Sequence, residues 1–446
     1  MPVMRVLLIS WEYPPVVVGG LGRHVHHLAT ELAGLGHDVV VLTRRPSGTD
    51  AVSHPTTDRV VDGVRVIAVA EDPPEFSFGT DMMAWTLAMG HGFIRAGLTI
   101  LAGERGSRAT SWTPEVVHAH DWIVAHPAIA LAEIFDVPLI STIHATEAGR
   151  HSGWVSGRIN RQVHSVEWWL ATDSDALITC SESMRDEVTR LFGPSVPDSS
   201  VPDPAGIVRP VPGLRLADIT VIHNGIDIRA WPFAPRPTPT GPAELLFAGR
   251  LEYEKGVQDL LAALPRIRRT HPGTTLTIAG TGTQLEWLTE QARRHRVGRA
   301  VTFLGAVDHQ GLVELMHRCA AIVLPSRYEP FGIVALEAAA TGIPLVTSTA
   351  GGLGEAVRGG VTGLSFEPAD VAGLAAAVRT TLTDPDSSAQ RARRARARLS
   401  EDFAWTEVAA RTASVYASAK RRVRQPSGRP IIAQRPLPER DPAQPE

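Results

Sequence analysis

Cysteine is almost absent from this sequence of 446 residues, which contains only Cys180 and Cys319. Two cysteines exclude a disulfide-stapled scaffold, and so low a content is typical of a reducing cytosol. No apolar run reaches 18 residues, so the sequence predicts no membrane span. The N-terminal apolar run is too short for a signal peptide, and we therefore expect a soluble, cytoplasmic protein.

An excess of charge of one sign is also missing. The 44 Lys and Arg residues face 47 Asp and Glu residues, and the formal net charge is -3. No global basic field therefore indicates nucleic acid as a partner. The basic stretch at residues 420–424 leaves a peripheral contact with an anionic membrane open, although a solvated tail is the alternative.

The sequence does contain a regular alternation of short apolar runs and helical stretches. An apolar run at residues 3–10, a glycine-rich loop, a helix from about Gly20 to Leu35 and a strand at residues 38–43 predict a βαβ unit. Two series of further runs predict strands at residues 64–70, 115–120, 138–145, 176–181, 219–227, 243–251, 275–282, 300–307, 320–326 and 344–349. They indicate an α/β protein of two doubly wound halves, each with a parallel sheet, and ligands bind such sheets at the carboxyl ends of their strands.

The predicted domain limits follow from these series. We expect a first domain at residues 1–228, a second at 229–404, a helix at about 405–420 that packs back on the first, and a disordered tail at 421–446. Proline-bearing stretches predict a hinge at residues 231–242 and a surface loop at 193–213.

Two cations follow the first strand of the second half, in FAGRLEYEKG. Arg250 ends the strand and Lys255 comes five residues later, before a helix. This arrangement suits a diphosphate, which Arg can bind in bidentate fashion. The alternative is a solvated loop in which Glu252 and Glu254 pair with the two cations.

Two glutamates lie at an unusual interval in EPFGIVALE. Glu329 precedes Pro330 at a strand-to-helix junction, and a continuous helix would place Glu337 about 12 Å further along its axis. That distance is about the reach from a sugar hydroxyl, past two phosphates, to a ribose. The alternative reading makes Glu329 a partner of the helix dipole and Glu337 a surface charge.

Glycine-rich loops offer main-chain N–H groups to an anion. Gly19 and Gly20 stand at a loop-to-helix junction, and the loop at residues 347–357 could present Gly352 and Leu353 to a phosphate. The first loop lacks the G-x-G-x-x-G spacing of a dinucleotide site. Tight turns that require glycine are the alternative.

Polar residues end two strands of the first half, in VVHAHDW and STIHATE. His118, His120 and His144 lack carboxylates or cysteines at zinc spacing, so we predict no metal site. His120, Asp121 and His144 are better explained as groups that line the cleft. Tryptophans near the same loops can stack on sugars, with core packing as the alternative, and they are Trp11, Trp85, Trp122 and Trp154.

Together these motifs resemble the retaining glycosyltransferases of the GT-B fold, the glycosyltransferase family 4-like group that includes bacterial glycogen synthases. The resemblance covers about residues 4–420. It rests on GGLGRHV, HAHDW, STIHATE, VIHNGID, GRLEYEKG, E-x7-E and GGLGEAV, which occur in the family's order. The branch it resembles most is that of the actinobacterial α-(1→4)-glucosyltransferases of glycogen and methylglucose lipopolysaccharide synthesis.

The resemblance implies roles for individual residues. Arg250 and Lys255 would hold the donor diphosphate, Glu337 the ribose and Glu329 the donor sugar. His144 would lie beside the anomeric carbon, and Asp121 with Trp122 would face the acceptor. The catalytic set would be His144, Arg250, Lys255 and Glu329. The other donor-site positions would be Gly19, Gly20, Gly280, Val307, Phe331, Gly332 and Ile333, with the base near Gly280 and residues 305–307.

The family likeness implies a nucleotide-glucose donor, no cofactor, and an α-glucan or a glucosylated lipid as acceptor. Family members that use ADP-glucose often carry Lys where this sequence has Val17, so UDP-glucose and ADP-glucose both stay open. Acceptor contacts are expected in residues 72–92 and 146–170. The alternative is a same-fold transferase that uses GDP-mannose and a lipid, or that moves glucose to a sugar phosphate.

Overall fold

The computed structural model describes residues 2–17, 19–46, 48–71, 76–101, 112–151, 153, 155–193, 217–234 and 241–423. The strands in these residues are β1 (Arg5–Ile9), β2 (Asp38–Arg44), β3 (Thr57–Val61), β4 (Val64–Val69), β5 (Val116–His120), β6 (Leu139–Ile143), β7 (Ala176–Thr179), β8 (Ile219–Val221), β9 (Glu244–Ala248), β10 (Thr275–Ala279), β11 (Val301–Gly305), β12 (Ala321–Leu324), β13 (Leu345–Ser348) and β14 (Leu364–Phe366). The α-helices are α1 (Gly20–Gly34), α2 (Met82–Ala96), α3 (Ala125–Phe135), α4 (Glu147–Arg150), α5 (Arg158–Asp173), α6 (Glu182–Phe192), α7 (Val257–Thr270), α8 (Leu285–Arg294), α9 (His309–Arg318), α10 (Ile333–Thr341), α11 (Leu353–Ala356), α12 (Val371–Thr383), α13 (Pro385–Asp402) and α14 (Trp405–Val423).

The strands form two separate sheets. The first has the order β3-β4-β2-β1-β5-β6-β7-β8 and the second the order β11-β10-β9-β12-β13-β14. The two-sheet α/β architecture expected from the sequence is therefore confirmed. The expectation that the first sheet is purely parallel is wrong at one edge, because β3 runs antiparallel to β4. A tight turn at Asp62 and Gly63, both with positive φ, joins these two strands as a hairpin.

Helix α1 covers the first sheet because its apolar residues recur at helical spacing. Val25, Leu28, Ala29 and Leu32 are all buried, and they share one core with β1 and β2. The helix is followed by Gly36, whose φ of 90° turns the chain out of the helical path and into β2.

Helix α14 packs on the first sheet although it follows the whole second sheet in the chain. It contacts α1, and Trp405, Val408 and Tyr416 belong to the same buried core as β1. The hydroxyl of the fully buried Tyr416 lies 2.7 Å from Nδ1 of His118 in β5. Two separate stretches of chain thus build the first half. The domain limits drawn at residues 228 and 404 stay predictions.

Helix α10 is short and almost completely buried in the second half. Gly332 precedes it with a φ of 94°, a conformation that side chains with a Cβ rarely adopt. The helix therefore begins at Ile333, and Glu329 and Pro330 lie in the loop before it. The sequence-based distance of about 12 Å assumed a continuous helix from Glu329, and that assumption was wrong.

The two halves meet along loops at the carboxyl ends of their strands. The Ser181 hydroxyl donates a hydrogen bond to the Pro330 carbonyl at 2.7 Å. The Glu355 carboxylate accepts hydrogen bonds from the main-chain N–H groups of Glu182 and Ser183, each at 3.0 Å. These contacts bring the loops with candidate site residues face to face.

Some predicted features lie outside the described residues. They are the proline-rich loop beyond Gly193, Trp154, residues 235–240 of the expected hinge and the tail from residue 424. Among the helices that the structure does describe, none combines the length and the apolar character needed to cross a bilayer.

Candidate active site

Glu337 lies on the part of α10 that meets α1 of the other half. The residue is 2% exposed, so the surface-charge alternative is wrong. Its Oε1 accepts a hydrogen bond from Nη1 of Arg23 at 2.8 Å. Burial raises the pKa of Glu337, and the nearby Arg23 guanidinium opposes that shift. A buried carboxylate is thus held by a cation from across the cleft.

Glu329 and Lys255 form the second pair of opposite charges at this site. Lys255 Nζ donates to Glu329 Oε2 at 2.9 Å, and the Ser326 hydroxyl lies 3.2 Å from the same oxygen. The side chains of Lys255 and Glu329 are 15% and 19% exposed. Lys255 therefore does not pair with Glu252 or Glu254, as the solvated-loop alternative required.

The choice of lysine at position 255 is itself informative. Only Lys255 and Lys420 are lysines among the 44 Lys and Arg residues, which leaves 42 arginines. A sequence that uses arginine almost everywhere has a compact ammonium group here. A compact charge with three freely rotating donors differs from the planar fork of a guanidinium, so an arginine here would not reproduce the same contacts.

Arg250 lies in the same loop but has a different partner. Its side chain is 57% exposed, and its Nη2 pairs with Glu254 Oε1 at 3.1 Å. For Arg250 the alternative given above is therefore confirmed, since its side chain lies in a solvated loop and pairs with Glu254. An exposed ion pair contributes little to stability, so Arg250 can exchange Glu254 for a ligand at small cost.

The glycine-rich loop of the first half makes a close approach to the second half. A Cβ on Gly20 would lie 2.9 Å from Cδ1 of Ile333, so no larger residue fits without movement. The N–H of Gly19 donates to Glu12 Oε2 at 2.9 Å. The absence of a side chain at residue 20 therefore allows the two helix ends to meet.

The N–H groups expected at the end of β13 are already used. Gly352 donates to the carbonyl of Glu329 at 3.0 Å, and Leu353 donates to that of Ala350 at 3.1 Å. Neither group is free for a phosphate in this structure. The sequence could not reveal this, because Glu329 is distant in the chain.

The positions expected near the base surround the ends of β10 and β11. Gly280 donates to the carbonyl of Gly305 at 2.7 Å, and a Cβ on Gly280 would lie 1.9 Å from the carbonyl oxygen of Gly249. Val307 packs at the edge of the core, and Phe331 is buried against His223. At Phe331 the main chain, rather than the buried ring, is therefore left for a ligand.

A cluster of histidines, of which His24 and His120 are buried and His144 is partly buried, forms the first-half side of the cleft. His120 Nδ1 lies 3.1 Å from His144 Nε2, and the ring centroid of His24 is 4.7 Å from that of His144. Burial lowers the pKa of all three imidazoles, to about 3 for His144, so they are neutral at neutral pH. His24 was not predicted from the sequence, although its spacing of four from the buried Leu28 places it on the core face of α1.

The same three histidines are the one group in the described residues that could hold a metal ion. Their ligand atoms lie within 4.8 Å of one another, whereas nitrogen ligands of tetrahedral zinc are about 3.4 Å apart. His24 Nδ1 and His120 Nε2 are buried and have no hydrogen-bond partner among the described residues. The 4.8 Å is an upper limit, and His120 Nδ1 and His144 Nε2 are closer, at 3.1 Å. The expected absence of a metal stays a prediction.

Asp121 follows β5 in a strained main-chain conformation. Its φ of 64° and ψ of 171° belong to a region that favours glycine. Its Oδ1 accepts a hydrogen bond from the N–H of His144 at 2.7 Å. Burial raises the pKa of Asp121 to about 6, against the effect of that hydrogen bond. Strain and a buried carboxylate at a strand end are typical of functional sites.

Aromatic side chains of the first half pack together. The ring centroids of Trp11 and Phe78 are 5.4 Å apart in a stacked arrangement, and Trp85 meets Trp11 edge-on at 6.3 Å. Trp85 and Trp122 are buried, which favours core packing for both. Trp11 and Phe78 are partly exposed and are left as candidates for a sugar contact.

Comparison with known proteins identifies the family. Residues 19–202 match the model of the glycosyl transferase 4-like domain, and residues 232–398 match that of glycosyl transferases group 1. The chain belongs to the group 1 glycosyltransferases. This glycosyltransferase is 64% identical to a glycogen synthase of Mycobacterium tuberculosis, over 98% of this chain and 100% of the relative.

More distant matches agree with that assignment. An α-maltose-1-phosphate synthase of Mycolicibacterium smegmatis is 28% identical, over 93% of this chain and 99% of the relative. Among solved structures, the sucrose-phosphate synthase of Thermosynechococcus elongatus has a TM-score of 0.74 at 22% identity and covers 93% of this chain and 98% of its own. The expected family and the GT-B fold are confirmed, and the chain is a hexosyltransferase. The roles of individual site residues stay predictions.

Proposed function

We propose that this glycosyltransferase moves glucose from a nucleotide-glucose to the non-reducing end of an α-(1→4)-glucan, with retention of configuration. The observation that carries the proposal is the 64% identity to a glycogen synthase over nearly the whole chain. The arrangement of the candidate site supports the chemistry, since it sets paired charges opposite neutral imidazoles and one carboxylate.

In this mechanism the leaving diphosphate is bound from the second half. Lys255 and Arg250 stabilise the negative charge that develops as the bond between the anomeric carbon and the phosphate oxygen breaks. The acceptor hydroxyl attacks from the same face, and its proton passes to the leaving phosphate oxygen. The new bond joins the acceptor oxygen to the anomeric carbon, so the charges and atoms balance without an enzymic nucleophile.

The first half contributes a neutral imidazole and one carboxylate near the sugar. His144, whose pKa of about 3 keeps it uncharged, orients the donor sugar beside the anomeric carbon. Asp121 accepts hydrogen bonds from sugar hydroxyls when it is ionised. No cofactor enters this mechanism, and a cytoplasmic location follows the low cysteine content of the sequence.

A second candidate is transfer of glucose to a sugar phosphate. The 28% identity to an α-maltose-1-phosphate synthase favours it over other acceptors, such as the glucosylated lipid also considered. The lower identity places it behind glucan elongation.

Transfer assays test both candidates. UDP-glucose, ADP-glucose and GDP-mannose would each be supplied with a short α-(1→4)-glucan, with glucose 1-phosphate, or without acceptor, and the products identified by mass and by the configuration of the new bond. Glucan-dependent growth by α-linked glucose is the expected result. Transfer to the sugar phosphate alone, or from GDP-mannose alone, would overturn the glucan proposal.

A further inference from the structure

Arg23 lies on the same face of α1 as Gly20, and both residues face α10 of the second half. On α1, Arg23 follows Gly20 by three residues, and on α10, Glu337 follows Ile333 by four. A Cβ built on Gly20 would lie 2.9 Å from Cδ1 of Ile333, and Arg23 donates a hydrogen bond to Glu337 at 2.8 Å. Residues three or four apart share a helix face, so one face of α1 lies along one face of α10 across the cleft.

The surroundings of Glu337 make this contact necessary. Its side chain is 3% exposed, whereas that of Arg23 is 50% exposed and reaches in from solvent. A buried carboxylate without a cation or hydrogen-bond donors is costly and tends to take up a proton. In the described residues, the groups whose charge favours the ionised form of Glu337 are Arg23, in direct contact, and His309, at longer range.

We propose that Arg23 is a positioning residue of the donor site, which keeps the Glu337 carboxylate ionised and in place so that it accepts hydrogen bonds from the ribose of a nucleoside diphosphate. An ionised carboxylate has only acceptor sites, which suits two ribose hydroxyl donors. Arg23 uses Oε1, so Oε2 is left for the ribose. The inference rests on the proposed function for the ribose role of Glu337.

One consequence concerns the two halves. Glu337 belongs to the second half and Arg23 to the first, so the ribose partner is complete only while the halves are in contact. Closure of the cleft and formation of the nucleotide site are thus one event, because the carboxylate loses its counter-ion when the halves separate.

The test is nucleotide binding by Arg23→Gln and Arg23→Lys across pH. Calorimetry would give the Kd of UDP and of ADP from pH 6 to pH 9, and transfer assays would give KM and kcat for the donor. We expect Arg23→Gln to weaken binding and raise KM about tenfold at neutral pH, the cost of one charge-assisted interaction, with kcat nearly unchanged. Without the guanidinium the pKa of Glu337 rises further, so binding should recover as pH rises, and Arg23→Lys should restore most of it.

Three controls separate this role from a general loss of structure. Thermal unfolding would show whether Arg23→Gln stays folded. In Glu337→Gln, the added change Arg23→Gln should have little further effect, because the carboxylate that it serves is gone. Arg65→Gln breaks another arginine–carboxylate pair, with Asp58 on the edge strand β3, and should bind nucleotide normally.

Unchanged or tighter binding by Arg23→Gln would overturn the inference, as would a weakening that neither pH nor lysine corrects. Failure of the proposed function looks different. If the wild type binds UDP or ADP with the expected Arg23 dependence but transfers nothing to glucan, the acceptor assignment fails and the role of Arg23 stands. If the wild type binds neither nucleotide, both fail.

Discussion

The two sides of the cleft carry opposite kinds of chemistry. The first-half side has imidazoles without charge, His24, His120 and His144, together with the carboxylate of the strained Asp121. The second-half side has Lys255 and Glu329 as a close pair of full charges. Uncharged imidazoles can orient a sugar without placing a fixed positive charge beside it. The sugar itself develops positive charge in the transition state. Full charges can neutralise a leaving diphosphate, so the difference matches the two ends of a sugar nucleotide.

The two sides also differ in how their groups are satisfied. The charges of the second half have partners that a ligand can replace, as with Arg250 and Glu254. The histidines of the first half are held by packing and by one another, and His118 is tied to Tyr416 of α14. We therefore expect ligand binding to rearrange the second-half side more than the first.

The largest predicted effect concerns the charged side. Lys255→Ala should lower kcat for glucose transfer by about 10²- to 10³-fold, because one preorganised donor to the leaving diphosphate is lost. Lys255→Arg should recover little, since the guanidinium is wider than the ammonium that it replaces. Steady-state transfer rates, with thermal unfolding to verify the fold, measure both.

The other lysine supplies a matched control. Lys420 lies on α14 and pairs with Glu115 at 2.5 Å, away from the candidate residues. Lys420→Ala should leave kcat within a factor of about two, as expected for a partly exposed ion pair. Equal losses in the two alanine variants would contradict a specific role for Lys255.

The first-half side is tested by Asp121→Asn, with an expected loss in kcat/KM of about tenfold to a hundredfold from one charge-assisted hydrogen bond of the ionised carboxylate. The pKa of Asp121 is about 6 in the fold and about 3.8 when unfolded, so the protonated form is favoured by folding. The contribution of protonated Asp121 to the free energy of unfolding is complete below pH 3.8 and is lost as pH rises through about 6. At pH 7 the variant should therefore be more stable than the wild type, by up to about 3 kcal/mol.

Urea unfolding of both proteins at pH 7 and pH 4 measures this prediction. The advantage of Asp121→Asn should be present at pH 7 and almost absent at pH 4. Wild-type transfer should also fall as the pH drops below about 6, while the variant should show no such step. A variant that is less stable at pH 7 would show that burial does not penalise the Asp121 carboxylate.

A smaller effect on the donor KM should follow when a substitution adds a single methyl group between the two sides of the cleft. Gly20→Ala would place a Cβ 2.9 Å from Cδ1 of Ile333, the end of a side chain that can shift, so the donor KM should rise only about threefold. Gly34→Ala is the matched control on α1, since a Cβ there meets nothing within 4 Å. It should leave KM unchanged and slightly raise the free energy of unfolding.

Much of this molecule could be predicted from its sequence because buried strands and helices leave strong local patterns. The alternation of apolar runs gave both sheets, and the glycine- and charge-bearing loops at strand ends gave Gly20, Lys255, Glu329 and Glu337. The hairpin of β3 was missed although Asp62-Gly63 is a strong turn signal, because its strand is mostly exposed and lacks an apolar run.

The partners of the site residues could not be found in the same way. Arg23 is 314 positions from Glu337, and nothing in the local pattern of either helix indicates that they meet. The strain at Asp121 and the lowered pKa values of the histidines likewise depend on which elements pack together. Local sequence predicts which residues lie at the strand ends, whereas their charges and contacts follow from the tertiary fold.

The return of α14 to the first sheet has a consequence for how the chain is made. Residues 5–221 leave the ribosome before residues 405–423, so the surface that receives Trp405 and Tyr416 stays uncovered until α14 has been synthesised. The second half, made later, can fold without waiting, because domains fold as units. We expect hydrogen exchange during refolding to protect β9 before β1. The half that is made first would then be the last to finish.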